Sequence, residues 1–235
     1  MKPSRMTDYE NITPKQAIQI QEELRNKIEL ESLDLDQGIK TVGGADISFN
    51  RGSNRVHAGI VVLSLPNLEV KARSLISTEV DFPYIPGLLA FREIPALMEA
   101  WEQCRQKPDV LLLDGHGIAH PRRMGIATHF GILANHPTIG CAKNVLTGSY
   151  EEPDTEKGKY SYLMEANEKI GIVLRSRTNV NPIYISPGHK TDFEDTLAIV
   201  GKALSRYKLP ETTRATHRLV NELRKGEIDQ GYVEF

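Results

Sequence analysis

Apolar positions in this chain recur with two periods, and the changes of period predict its elements. Thr13-Pro14 opens a helix, with Pro where its missing N–H costs nothing, and Ala17, Ile20, Leu24 and Ile28 follow at helical spacing. They predict an amphipathic helix packed on the outside of a sheet. From Lys40 to Val80 the pattern becomes that of strands: Thr41 to Phe49, Val56 to Ser64, and a third within Glu69 to Val80. The separators, Asn50-Arg51-Gly52-Ser53-Asn54 and Pro66-Asn67, are turns too short for anything but antiparallel neighbours. A three-strand meander therefore opens the sheet. Gly43-Gly44 in its first strand marks either a bulge or a close approach of another backbone.

Pro83-Tyr84-Ile85-Pro86-Gly87 fits neither period. Two prolines fix the backbone around an aromatic and a branched apolar residue, so the loop either presents Tyr84 outward at little entropic cost or packs it back on the core. Leu88, Phe91, Ile94, Leu97, Met98 and Trp101 then form a helical stripe that Pro95 kinks or restarts, with Glu93 at its margin. The stretch PDVLLLDG follows. Its successive apolar residues, Val110 to Leu113, read as a strand buried on both faces at the centre of a mixed sheet, and they run straight into Asp114. A carboxylate there asks for a cation or several donors, and metal binding and capping of the next turn both answer that need.

A helical pattern through Ile126, Phe130 and Leu133 leads to a short strand, Thr138 to Ala142, ending at Lys143. Helices alternating with buried strands predict parallel strands joined by crossovers. Residues 144–160 have the composition of a loop, and Ser161 to Met164, Gly171 to Arg175 and Ile183 to Ser186 read as further strands. Thr191-Asp192-Phe193-Glu194 has the form of a capping box ahead of a helix carrying Leu197, Val200 and Leu204. On a last helix after Pro210, Ala215, Leu219 and Leu223 share one face. His217 lies on the opposite, polar face beside Arg214, Asn221 and Arg224, where it is either plain surface or part of a site.

With 235 residues, 40% apolar and 26% charged, and no linker-like tract, the whole chain 1–235 is expected to form one globular domain. A net charge of −2 gives no global attraction to nucleic acid. Local cations would have to supply it, and Arg122, Arg123, Arg214, Arg218 and Arg224 are the candidates. Cys104 and Cys141 have no metal-type spacing and fit reduced thiols. The first residues lack the pattern of a signal peptide and no apolar run is long enough to span a membrane, so a cytoplasmic protein is expected.

Three antiparallel strands followed by helix, strand, helix, strand is the order of the ribonuclease H-like fold, an α/β mixed sheet flanked by helices. In that fold the first and fourth strands lie parallel and adjacent, which sets Asp46, within VGGADISF, beside Asp114. Two carboxylates at one sheet edge without a His/Cys cluster suit a hard cation such as Mg²⁺ or Mn²⁺. Glu93, near the start of the crossover helix, can complete the set.

With these residues assembled, the sequence resembles the endonuclease V family of deoxyinosine-specific repair nucleases. The resemblance covers nearly the whole chain, through GGADISF, PYIPGLLAFRE, LLLDGHGIAHPRRMGIATHFG, IGCAKNVLTG, ISPGHKTDFEDT and LPETTRATH. It implies cleavage of the second phosphodiester bond 3′ to a deaminated base in DNA, leaving 3′-hydroxyl and 5′-phosphate ends. It further implies Asp46, Glu93 and Asp114 as the catalytic centre, Lys143 and His217 beside them, and Pro83, Tyr84, Ile85 and Pro86 as a wedge at the lesion. On that reading Asp46 and Asp114 hold Mg²⁺, for which Mn²⁺ can substitute, and Glu93 orients metal or water. Lys143 pairs with the phosphate or the attacking water, while His217 assists proton transfer or holds a second metal. The base must leave the stack to be read, and Gly87, Leu89, Gly115 and Gly140 are candidates for its pocket. A monomer acting on DNA is expected.

Inosine-containing RNA is the alternative substrate, since the same centre can cut either backbone and the 2′-hydroxyl is read by details of the groove. A lesion-binding module that does not cleave would gain nothing from three carboxylates facing phosphates. A small-molecule phosphohydrolase has no use for the projecting loop.

Overall fold

Thr13 does cap the first helix, α1 (Pro14–Arg25): its hydroxyl accepts from the Gln16 amide, and the Gln16 side chain returns to the cap backbone. The computed structural model describes residue 9 and residues 11–33 and 38–235, so the first eight residues, expected above to lack a signal peptide, lie outside the described part. The helix stops at Arg25, and Ile28 lies beyond it rather than on its face. Its buried residues are Ala17, Gln21 and Leu24.

The meander follows as β1 (Thr41–Phe49), β2 (Arg55–Ser64) and β3 (Val70–Glu79), all antiparallel. Pairing of β1 with β2 is regular through Gly43-Gly44, so the glycines mark close approach and not a bulge. A Cβ on Gly44 would overlap the carbonyl of Thr212. Next come α2 (Leu89–Gln103), which runs through Pro95 as one helix, β4 (Val110–Leu113), α3 (Ile126–Ala134) and β5 (Thr138–Ala142). β4 is parallel to both β1 and β5, as the crossovers require. Helix α1 packs on α3, and its Ala17 joins the core on that side of the sheet.

The remaining strands are β6 (Tyr160–Glu165), β7 (Glu168–Leu174) and β8 (Ile183–His189), followed by α4 (Phe193–Ala203), α5 (Glu211–Lys225) and β9 (Gly231–Glu234). The sheet order is β6-β7-β8-β5-β4-β1-β2-β3-β9, with β4 fifth of nine. Strands β6, β7 and β8 are antiparallel to one another, and β8 is antiparallel to β5, so only the pairs at the centre are parallel. The two-residue turn Ala166-Asn167, with both φ positive, forces the β6–β7 hairpin. Helix α4 is capped by Asp192, one residue later than the sequence pattern suggests. Asp192 Oδ1 accepts from the Asp195 amide at 2.8 Å, whereas Thr191 is buried and spends its hydroxyl on the Thr138 carbonyl, 2.9 Å away.

Because β4 is covered on both sides, its leucines divide between two cores. Leu111 and Leu113 join α2 and α3 on one face, and Val110 and Leu112 join α4 and α5 on the other. Each fully buried leucine contributes about 1.5–3 kcal/mol relative to exposure. The expected loop 144–160 ends at Lys159, since Tyr160 opens β6, and it is tied down by Arg175, whose guanidinium donates to the carbonyls of Pro153, Asp154 and Val180 and to Glu152. No helix among the described residues is long and apolar enough to cross a membrane.

Candidate active site

The register of the two central strands builds the site. Ala45 pairs with Leu113, so the next residues, Asp46 and Asp114, emerge side by side, and the Asp114 amide still donates to the Ala45 carbonyl at 3.2 Å. Helix α5 lies along β1 and brings His217 over the same edge. Its Nδ1 is 2.8 Å from Asp46 Oδ2, and the other Asp46 oxygen accepts from the Ile47 amide at 2.8 Å. Lys143, just past β5, reaches Asp114 at 2.5 Å. The Asp114 carboxylate therefore meets a cation and does not turn back to cap its own loop.

One ligand atom from each of Asp46, Asp114 and His217 falls within 4.8 Å of the others, the only such cluster of metal-type ligands among the described residues. Glu93, from the first turns of α2, lies outside that set but close behind it. Burial pushes its pKa up to about 8, and the charges of Asp46 and Asp114 add to the rise. Asp46 is also raised, by burial first and then by Asp114, with the His217 hydrogen bond opposing. Mutual repulsion among hard oxygen donors is what a divalent cation relieves, so the donor set fits Mg²⁺ or Mn²⁺. Asp46, Asp114 and His217 are the residues that could hold it.

Next to Asp114 a cavity of about 190 Å³ opens, lined by Tyr84, Pro86, Gly87, Leu89, Gly115, His120, Met124 and Leu146 among others. Gly87, Leu89 and Gly115, three of the four residues named above for a base pocket, line this cavity together. Gly140 does not. It sits within β5, where a Cβ would overlap the backbone of the 115–117 turn, so its role is to let that turn lie on the strand. Tyr84 is 64% exposed, which excludes packing on the core, and Pro83 and Pro86 are exposed with it. Ile85 alone turns inward against the core.

Several arginines proposed for phosphate contacts are already engaged. Arg123 is buried and paired with Glu165 at 2.5 Å and Glu168 at 2.7 Å, fastening the β6–β7 hairpin to the loop after β4. Arg122 donates to Gln21 and to the Gly87 carbonyl. Arg214 pairs with Glu211, and Arg224 bonds Ser48, Asn50 and Asn221. Arg218 extends into solvent, 3.7 Å from Glu222. It lines a second cavity, of about 520 Å³, that also reaches Lys143, His217 and Arg214.

Sequence reasoning missed Gln21, His120 and Leu146, and it set Asn221 beside His217 without giving it a role. A fully buried glutamine in the apolar stripe of α1 was the one available signal, and nothing local marked the others.

Residues 22–218 match the family model described as Endonuclease V. The endonuclease V of Gloeobacter violaceus is 44% identical over 218 residues, 92% of this chain and 88% of that protein. The crystal structure of endonuclease V from Streptomyces avermitilis superimposes with a TM-score of 0.87 at 38% identity, covering 92% of this chain and 94% of that one. A Ciona intestinalis endonuclease V, solved with a 23mer DNA containing an inosine followed by a ribo-adenosine, gives 0.80 at 28% identity over 92% of this chain and all of that one. Agreement of this extent, nearly end to end on both sides, makes the chain a member of the endonuclease V family of nucleases.

Proposed function

We propose that this nuclease recognises deaminated bases in DNA, chiefly deoxyinosine, and hydrolyses the second phosphodiester bond on the 3′ side, leaving 3′-hydroxyl and 5′-phosphate ends. The observation that carries the reading is the convergence of Asp46, Asp114 and His217 beside a cavity that starts at the very next residue, Gly115. The inosine-containing DNA bound by the Ciona enzyme supports the substrate class.

Asp46 and Asp114 would hold Mg²⁺, or Mn²⁺ in its place. When bound, such a cation polarises the phosphate and makes water a competent nucleophile near neutral pH. Glu93, held close to the charges of Asp46 and Asp114, would orient the metal or the water. Lys143 neutralises phosphate charge from the Asp114 side, and His217 holds a proton at Nδ1 against Asp46. Tyr84, stiffened by Pro83 and Pro86 and anchored by Ile85, fills the gap left when the base enters the cavity bounded by Gly87, Leu89 and Gly115.

The protein acts as a monomer, and as one domain, 1–235; the single sheet shared by all strands of the described residues supports the one-domain reading. Two buried free thiols fit a reducing cytoplasm. The ribo-adenosine beside inosine in the Ciona complex favours inosine-containing RNA as the second substrate.

The test is a cleavage assay with one inosine in single-stranded DNA, duplex DNA and RNA, each with Mg²⁺ and with chelator. Incision one nucleotide beyond the lesion's own 3′ linkage, abolished by chelator, is expected. Binding without incision in Mg²⁺, or incision that survives chelation, would overturn the assignment.

A further inference from the structure

We propose that Gln21 and Arg122 are positioning residues for lesion recognition: together they lock the Gly87 carbonyl, and with it the end of the Pro83–Pro86 loop, in the conformation that receives the flipped base. The inference rests on the functional reading above.

Gly87 has a φ of +79°, a conformation suited to glycine, and its carbonyl oxygen meets three donors. Gln21 Nε2 lies at 3.1 Å, Arg122 Nη2 at 2.8 Å and His120 Nε2 at 3.2 Å. The His120 Nδ1 accepts from the Arg122 amide at 3.1 Å, so the proton sits on Nε2 and the ring is a donor to Gly87. A carbonyl has two lone pairs, and one donor is enough to satisfy it when buried. Three donors, one of them a guanidinium, fix the orientation of that peptide as well.

Gln21 is fully buried, and each of its polar atoms is used. Its amide nitrogen also donates to the Met124 carbonyl at 3.2 Å, and its oxygen accepts from Arg122 Nε at 2.6 Å. One side chain from α1 therefore ties together two backbone segments, at Gly87 and Met124, that line the same cavity as Gly115. An apolar residue there would fill the space without the desolvation cost of an amide, so the polar bridge is what distinguishes this position. At the other end of the loop, Arg92 Nη1 donates to the Phe82 carbonyl at 2.8 Å. The prolines and Tyr84 are stretched between two held carbonyls. A loop ordered in advance pays less entropy when DNA binds, and that saving appears in lesion affinity.

Arg122→Ala, Arg122→Lys and Gln21→Leu test the proposal, with dissociation constants for inosine-containing and undamaged duplexes, single-turnover rate at saturating enzyme, and melting temperature measured on each. The preference for inosine should fall about tenfold in Arg122→Ala and in Gln21→Leu, through lesion affinity alone, while affinity for undamaged duplex stays at the wild-type value. Arg122→Lys, which keeps the charge and one donor, should recover part of the loss. A merely structural role would lower the melting temperature and leave the preference intact in the folded protein. If Gln21→Leu does not fold, Arg122→Ala decides, because Arg122 is only half-buried. Unchanged preference in folded Arg122→Ala overturns the positioning role alone. A wild-type protein with no preference for inosine overturns the functional reading as well.

Discussion

Nδ1 of His217 lies 2.8 Å from Oδ2 of Asp46, across 171 residues of sequence. One turn further along α5, Asn221 Nδ2 donates to the His217 carbonyl at 2.7 Å and stands 3.2 Å from His217 Nε2. The Asn221 oxygen is held by the Ser48 hydroxyl at 2.9 Å and by Arg224 at 3.1 Å, which orients the amide with its nitrogen toward the imidazole. His217 Nε2 is then the acceptor and Nδ1 the donor to Asp46. Asn221→Ala frees the ring to turn. Its single-turnover rate should fall about 10–100-fold with lesion affinity unchanged. Equal loss of affinity and rate would show that Asn221 contacts the nucleic acid instead.

Asp114→Asn keeps the shape of the side chain and removes the charge that faces Lys143 and repels Asp46 across the site. Cleavage should drop by on the order of a thousandfold or more, with the melting temperature near wild type. Titration with Mn²⁺, followed by its paramagnetic signal, should show weakened metal binding in the same protein. Wild-type turnover in Mg²⁺ would remove Asp114 from the metal site.

Tyr84→Ala deletes an exposed ring and touches neither core. Stability should therefore be unchanged, while lesion affinity falls about tenfold or more, since stacking of a base on an aromatic is worth roughly 1–3 kcal/mol. Normal affinity in this variant would refute the wedge.

Arg123→Ala strips two carboxylates of their partner at the foot of the β6–β7 hairpin. Because Glu165 and Glu168 remain partly exposed, the expected loss is about 1–3 kcal/mol, below that of a wholly buried pair. Urea denaturation reads it directly. The salt dependence of DNA affinity should match wild type, whereas an arginine bound to phosphate would lower that slope by about one.

Acid should destabilise the fold through its buried imidazoles. Burial pulls His120 and His136 down to about 4 and His129 to about 3. Below pH 6.5 the unfolded chain takes up three protons that the folded chain refuses, so their stabilisation is complete above that pH and is lost as pH falls toward 4. Glu93, pushed up to about 8, works in the opposite direction and returns one proton to the folded side. Burial also pulls His57, His116 and His189 down and pushes Asp46 and Asp195 up, so the slope takes the sign of the more numerous imidazoles and stability falls as pH drops below 6.5. Urea midpoints in chelator between pH 7 and 5 should fall accordingly, and a flat profile would contradict the burial of these rings.

What the chain determines by itself is set by periodicity and local chemistry. Alternating residues from Thr41 to Glu79, the unbroken run Val110–Leu113 and the cap at Thr13 need no distant partner, and each forms where the pattern puts it. The element order then leaves one arrangement that covers both faces of β4, and it carries Asp46 to Asp114. Elements whose partners are remote were not legible in that way. The edge strand β9 exists because β3 offers it a free ladder, and β6 to β8 take their antiparallel sense from a turn with two positive φ values and from the β5 edge. Tertiary packing also decided which polar groups are spent. Thr191 gives its hydroxyl to β5 and cedes the cap to Asp192, and Arg122 and Arg123 are consumed by Gln21, Gly87, Glu165 and Glu168. A charge on a sequence has no partner until the backbone is folded around it, whereas an apolar period carries its own geometry.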